Sequence, residues 1–218
     1  MPQGKGRAFV TGVLFNVAVD AARSIKAPLT EGNQQPALTS IVFSVIALEA
    51  FLNEVTEVAT DYLANPYEPQ AVAAFAEFMN DAERARTSLE SKFVLSNWIL
   101  TGRRLERGEP AYQDFSLLVG LRNDLVHFKP NEAVDFSLSP DEIHQRLVGK
   151  FRSKNILATG IESALTPWTQ LITTKAVALW SCETASRMVV DFVQKVPKGG
   201  WRTFLETVQL HFTSPDYS

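Results

Sequence analysis

The stretch Leu117-Leu118-Val119-Gly120-Leu121-Arg122-Asn123-Asp124-Leu125-Val126-His127-Phe128-Lys129-Pro130 reads as an amphipathic helix closed by a lysine–proline stop. Gly108 and Pro110 break the chain ahead of it, so the helix is predicted over roughly 111–128. It carries an arginine, an asparagine, an aspartate and a histidine close together. Most of the remaining chain reads as helices that support and bury this one.

Upstream, residues 7–27 are rich in alanine and apolar residues and predict a first helix. The β-branched residues Val10, Val13, Val17 and Val19 keep an early strand open as the alternative. From Pro36 to Ala64 the pattern is apolar almost all round, the mark of a buried helix, and Asn65-Pro66 ends it. Gln70 to Ala82 predicts another helix. Thr87-Ser88-Leu89-Glu90 has capping-box form and opens one more, to about Arg104. Downstream, Ser139-Pro140-Asp141-Glu142 predicts a short helix to about Phe151. Thr166-Pro167 opens a last long helix that Pro197, Gly199 and Gly200 close, and a short piece follows from Trp201 to Phe212. No repeat, linker or composition shift marks a second domain. The expectation is all-α: one domain over 1–218, an antiparallel bundle of four to five main helices with short additions.

Composition narrows the function. At 218 residues, 45% hydrophobic and 21% charged, the chain can bury a substantial core. A formal charge of −3 argues against coating nucleic acid by bulk electrostatics, although the basic groups Arg84/Arg86, Arg103/Arg104/Arg107 and Lys150/Arg152/Lys154 remain as local patches. The single cysteine, Cys182, gives no intrachain disulfide and reads as a buried small hydrophobe. His127, His144 and His211 are too dispersed for a metal centre; His144 reads as a surface residue and His211 as peripheral. No cofactor is expected. Ala8–Val19 superficially resembles a signal peptide but is interrupted by Thr11, Gly12 and Asn16, and Glu49 interrupts the apolar run Ala37–Leu52. The expected location is cytoplasmic, without a membrane.

Around the focal helix, at about 100° per residue, Phe115, Leu118, Val119, Leu125 and Val126 form an apolar arc with Arg122 in its middle. A guanidinium there needs a carboxylate. Glu49, on the otherwise apolar stretch of the long helix with Val42, Val45 and Ile46 and with Asn53 one turn on, is the predicted partner. Ser116, Gly120, Asn123 and His127 form a polar strip with Asp124 at its edge, and Gly120 suggests close approach by a backbone or ligand. Histidine exchanges protons near neutral pH, and arginine holds phosphate. Together they are the parts of a metal-free phosphodiester-cleaving site. The structural alternative is an ion-pair anchor and a C-terminal helix cap.

Arg122-Asn123-Asp124-Leu125-Val126-His127 resembles the arginine-to-histidine signature of the HEPN superfamily (higher eukaryotes and prokaryotes nucleotide-binding domains). Ala47-Leu48-Glu49-Ala50-Phe51-Leu52-Asn53-Glu54, and Thr166-Pro167-Trp168 with Trp180, look like further pieces of it, so the resemblance covers about 38–195. It implies a helical bundle that dimerises with two motifs facing each other. The activity implied is metal-independent endoribonuclease, in a toxin–antitoxin pair or antiviral defence, with RNA as substrate and an antitoxin or defence protein as partner. By position, Arg122, Asn123 and His127 are then catalytic, and Glu49, Asn53 and Asp124 supporting. Members that have lost activity serve as dimerisation or regulatory modules, which is the competing expectation; a nucleotide-binding bundle is a third.

Overall fold

The computed structural model describes residues 9–26, 34–62, 69–127, 142–157 and 168–212, with the side chains of 142–146 outside that description. Its helices are α1 (Thr11–Ser24), α2 (Gln34–Asp61), α3 (Gln70–Arg84), α4 (Leu89–Thr101), α5 (Pro110–Val126), α6 (Glu142–Ser153), α7 (Trp168–Ile172), α8 (Lys175–Lys195) and α9 (Gly200–Gln209). A 3-10 turn at Leu210–Phe212 follows. No strand occurs among the described residues, so the chain is all-α and residues 11–24 are helix.

Two helices organise the bundle. α2 packs against α1, α3, α5, α8 and α9, while α8 packs against α1, α2, α4, α5 and α9. α2 is long and apolar enough by composition to cross a membrane. Its Ile41, Leu48, Phe51, Leu52 and Val55 are instead completely buried in the protein core. Ser40 donates a hydrogen bond to the Ala178 carbonyl and lies 3.3 Å from Cys182 Sγ. Ser44 donates to the same sulfur, and Phe51 meets Phe192 edge-on. Residue numbers rise together along the two helices, so α2 and α8 run parallel. The small residues Ser40, Ser44 and Ser181 let the backbones approach while sending their O–H groups to partners. The fully antiparallel expectation therefore fails at the central pair. α3 and α4 do run antiparallel, through the Glu83–Lys92 ion pair and the Ser96 hydroxyl at Met79 Sδ.

Phe192 of α8 touches the rings of Phe51, Phe75, Phe93 and Trp201, which come from α2, α3, α4 and α9. All four contacts are edge-on at centroid separations of 5.4–6.4 Å, the arrangement that ring quadrupoles favour. The Trp201 indole N–H donates to the Val55 carbonyl at 3.2 Å and ties α9 to α2.

Local chemistry accounts for where boundaries moved. α4 starts at Leu89 with Ser88, not Thr87, as its cap: the Ser88 hydroxyl accepts from the Ser91 N–H at 3.3 Å. Glu90 is thereby freed to face α5. α4 stops at Thr101, three residues before Arg104, because Gly102 takes φ 68° and its N–H returns to the Trp98 carbonyl. The last long helix is two helices. The Thr173 hydroxyl donates back to the Thr169 carbonyl, and Thr174 turns extended and caps α8 by accepting from the Val177 N–H. α3 runs two residues past Ala82. More than four to five helices are substantial, since seven have at least twelve residues. The Lys129-Pro130 stop, Asn65-Pro66, Ser139-Pro140-Asp141 and Thr166-Pro167 lie outside the described residues.

Candidate functional site

α5 begins with Pro110 at its first position, where the missing N–H costs nothing. Its buried face is Phe115, Leu118 and Leu121, completely enclosed, flanked by Tyr112, Leu117 and Val119. The predicted apolar arc holds up to Val119 and fails at the last turn, where Leu125 is half-buried and Val126 is 51% exposed. The helix leaves the core there. The turn that carries the polar residues faces outward, with Asn123 and His127 exposed and Arg122 and Asp124 half-buried. His127 is the C-cap: its N–H donates to the Asn123 carbonyl at 2.9 Å, and at φ −102°, ψ 19° it leaves the helical path.

Arg122 does not pair with Glu49. Its Nη1 donates to Asn123 Oδ1 at 3.1 Å, and among the described residues its Nε is buried without a hydrogen-bond partner and no carboxylate pairs with it. The guanidinium sits on the turn that leaves the core, where the neighbouring asparagine is the nearer acceptor. Glu49 is half-buried on α2, while Asn53, one turn on, is exposed. Neither Glu49 nor Asp124 makes an ion pair among the described residues. Gly120 is not a close approach among the described residues, since a methyl group added there meets nothing within 4 Å. Gly12 is one: a Cβ would lie 2.9 Å from the His211 ring, so His211, although exposed, rests on α1. The His144 side chain lies outside the described residues.

Three polar groups play parts that the sequence reading missed. Glu54, not Glu49, is the carboxylate of its segment with a built role. Its Oε1 accepts from the N–H groups of Val10 and Thr11 at 2.6 and 3.0 Å, capping α1 from α2. Val10 in the cap position offers no side-chain acceptor of its own, and a carboxylate there also suits the positive helix end. Asp114, buried on α5, takes Lys154 at 2.6 Å and Arg187 at 3.3 Å, so α5, the end of α6 and α8 meet at one carboxylate. Its signal was present, because Asp114 shares a helical stripe with Leu118, Leu121 and Leu125. The Ser116 hydroxyl donates to Glu90 Oε1 at 2.5 Å, which removes Ser116 from the predicted polar strip.

Cys182 is completely buried, and burial raises its thiol pKa above the ordinary value despite hydrogen bonds from Ser40 and Ser44. It belongs to the α2–α8 packing and faces no cleft. No protein-family model, curated protein or solved structure matches the chain. The site therefore has to be read from its own chemistry.

Proposed function

We propose that this chain is a HEPN-like, metal-independent endoribonuclease, built as a single bundle domain and acting as a homodimer. One observation carries the reading: Arg122 is a half-buried guanidinium without a counter-ion among the described residues, oriented by Asn123, on the same outward-facing turn as His127. The Arg122–Glu49 ion pair of the structural alternative is not formed. A guanidinium left in this state fits a phosphate bidentately.

In the proposed reaction His127 takes the proton of a ribose 2′-hydroxyl, and the 2′-oxygen attacks phosphorus. The P–O5′ bond breaks, the leaving 5′-oxygen takes a proton from water, and the His127 imidazolium returns its proton to water, giving a cyclic phosphate and a free 5′-hydroxyl. Arg122 offsets the charge that builds on the phosphoryl oxygens, and Asn123 holds Arg122 in place. Glu49, Asn53 and Asp124 are supporting carboxylate and amide groups. On one helix Arg122 and His127 project about 140° apart, so a second copy supplies the complementary group across a two-fold axis. Under this reading the protein is a cytoplasmic toxin of a toxin–antitoxin pair or a defence effector, held in check by a partner protein.

A second reading, a catalytically inactive dimerisation module, is favoured by Val126, an exposed apolar residue beside His127. Purified protein incubated with single-stranded RNA in EDTA separates the two. The nuclease cleaves and His127→Ala abolishes cleavage; the module leaves the RNA intact.

A further inference from the structure

The connection between α4 and α5 is a built loop. The Asn97 amide donates to the Arg103 carbonyl at 2.7 Å, and the Thr101 hydroxyl donates to the same carbonyl at 3.2 Å. The Arg103 N–H donates back to that hydroxyl at 3.1 Å, and the Glu109 N–H closes a turn on the Glu106 carbonyl. Leu105 plugs into the core. What this backbone displays is basic: Arg103, Arg104 and Arg107 are all exposed, and none is in an ion pair among the described residues, although Glu106 and Glu109 lie in the same loop. Residues Arg103 to Arg107 bound a shallow hollow that is largely open to solvent. One turn upstream on α4, the Trp98 ring is 56% exposed, the most exposed aromatic side chain among the described residues.

Among the described residues the three guanidinium groups make no ion pair, and the loop that carries them follows directly on the helix end that exposes Trp98. Free guanidinium groups with an aromatic platform are the two components of single-strand recognition, charge for the phosphates and a ring for a base. We propose that the Arg103–Arg107 loop and Trp98 form a binding surface for single-stranded RNA, remote from the Arg122/His127 turn. The choice of RNA rests on the nuclease reading and deepens it. The loop lies at the start of α5 and His127 at its end, roughly 25 Å apart for seventeen helical residues. The loop therefore holds a flank of the strand while the far turn faces the scissile phosphate. Glu106 opposes binding and limits its strength.

The test is fluorescence anisotropy of a labelled single-stranded RNA in EDTA, titrated with full-length His127→Ala protein over a series of salt concentrations. Adding Arg103→Gln, Arg104→Gln and Arg107→Gln together lowers affinity by roughly ten-fold or more and flattens the log–log salt slope by about 2. Trp98→Ala weakens binding by roughly ten-fold, whereas Trp98→Phe keeps most of it. Glu106→Gln tightens binding, and Arg84→Gln with Arg86→Gln leaves it unchanged. Circular dichroism confirms that each variant is folded. An arginine triple variant with the affinity and salt slope of its parent overturns the proposal. So does a parent that binds anionic lipid vesicles but no single strand. Cleavage by the wild-type chain is scored separately: binding that depends on the loop with no cleavage overturns the nuclease reading and supports the loop.

Discussion

Arg122 is the residue on which structural and functional demands separate. A guanidinium paired to a buried carboxylate costs about 3–5 kcal/mol to delete. Arg122 has no carboxylate partner among the described residues, and its Nε is an unsatisfied buried donor there. Arg122→Ala is therefore expected to change unfolding free energy by less than about 1 kcal/mol, measured in urea, while removing the proposed phosphate contact. A loss of several kcal/mol would restore the anchor role. Cys182 supports a pH prediction. Burial raises its folded pKa, and burial with the nearby Glu90 raises that of Tyr112. For a group with a raised folded pKa, the stability contribution is complete below the unfolded pKa and is lost as pH rises toward the folded one. Stability should thus hold at neutral pH and decline above the ordinary thiol and phenol ranges. A thiol reagent should label native Cys182 only as fast as the protein opens. Urea midpoints that rise with alkaline pH would contradict this.

At the scale of elements, helix ends explain most of what the sequence told and withheld. The amphipathic period of α5 was legible, and so was the burial of α2, because both depend on local spacing. Ser88 and Thr174 act as caps within their own segments; the error at Ser88 was one residue, whereas at Thr174 it was a missed break in one expected helix. α1 was different. Its start has no capping side chain, and its acceptor, Glu54, lies 43 residues on from Thr11. A contact of that range leaves no periodic trace. Glu54→Ala strips the carboxylate from two backbone N–H groups and is expected to cost about 1–2 kcal/mol. Hydrogen exchange should show faster opening confined to α1. Unchanged protection of the α1 amides would remove Glu54 from this role. The arginine–histidine turn was legible as chemistry, but its outward direction was not. Whether a helix end stays in the core depends on what the neighbouring helices leave room for.

Across the whole molecule, the parallel α2–α8 pair sets the geometry. The chain leaves α2, passes through the intervening helices and returns beside it in the same sense, so the halves of the sequence are interleaved in one core. Phe192 is the meeting point, where four rings from four other helices converge. Phe192→Ala is expected to lower stability by about 3–5 kcal/mol, through lost transfer energy and the cavity left behind. Differential scanning calorimetry should show one transition displaced to lower temperature, and two separated transitions would mean the helices do not share a core. This convergence was out of reach of sequence patterns, which identify apolar faces but not their neighbours.

The same whole-molecule geometry, with Arg122 and His127 diverging around α5, makes the proposed active site a property of two chains. The direct measurement is RNA cleavage in EDTA by Arg122→Ala, by His127→Ala and by an equal mixture of the two after subunit exchange. Each variant alone should be inactive. In the mixture, half the dimers carry one site with both groups intact, so cleavage should return to roughly a quarter of the wild-type rate. A mixture no more active than its parts, beside a wild-type chain that cleaves, would contradict a shared site.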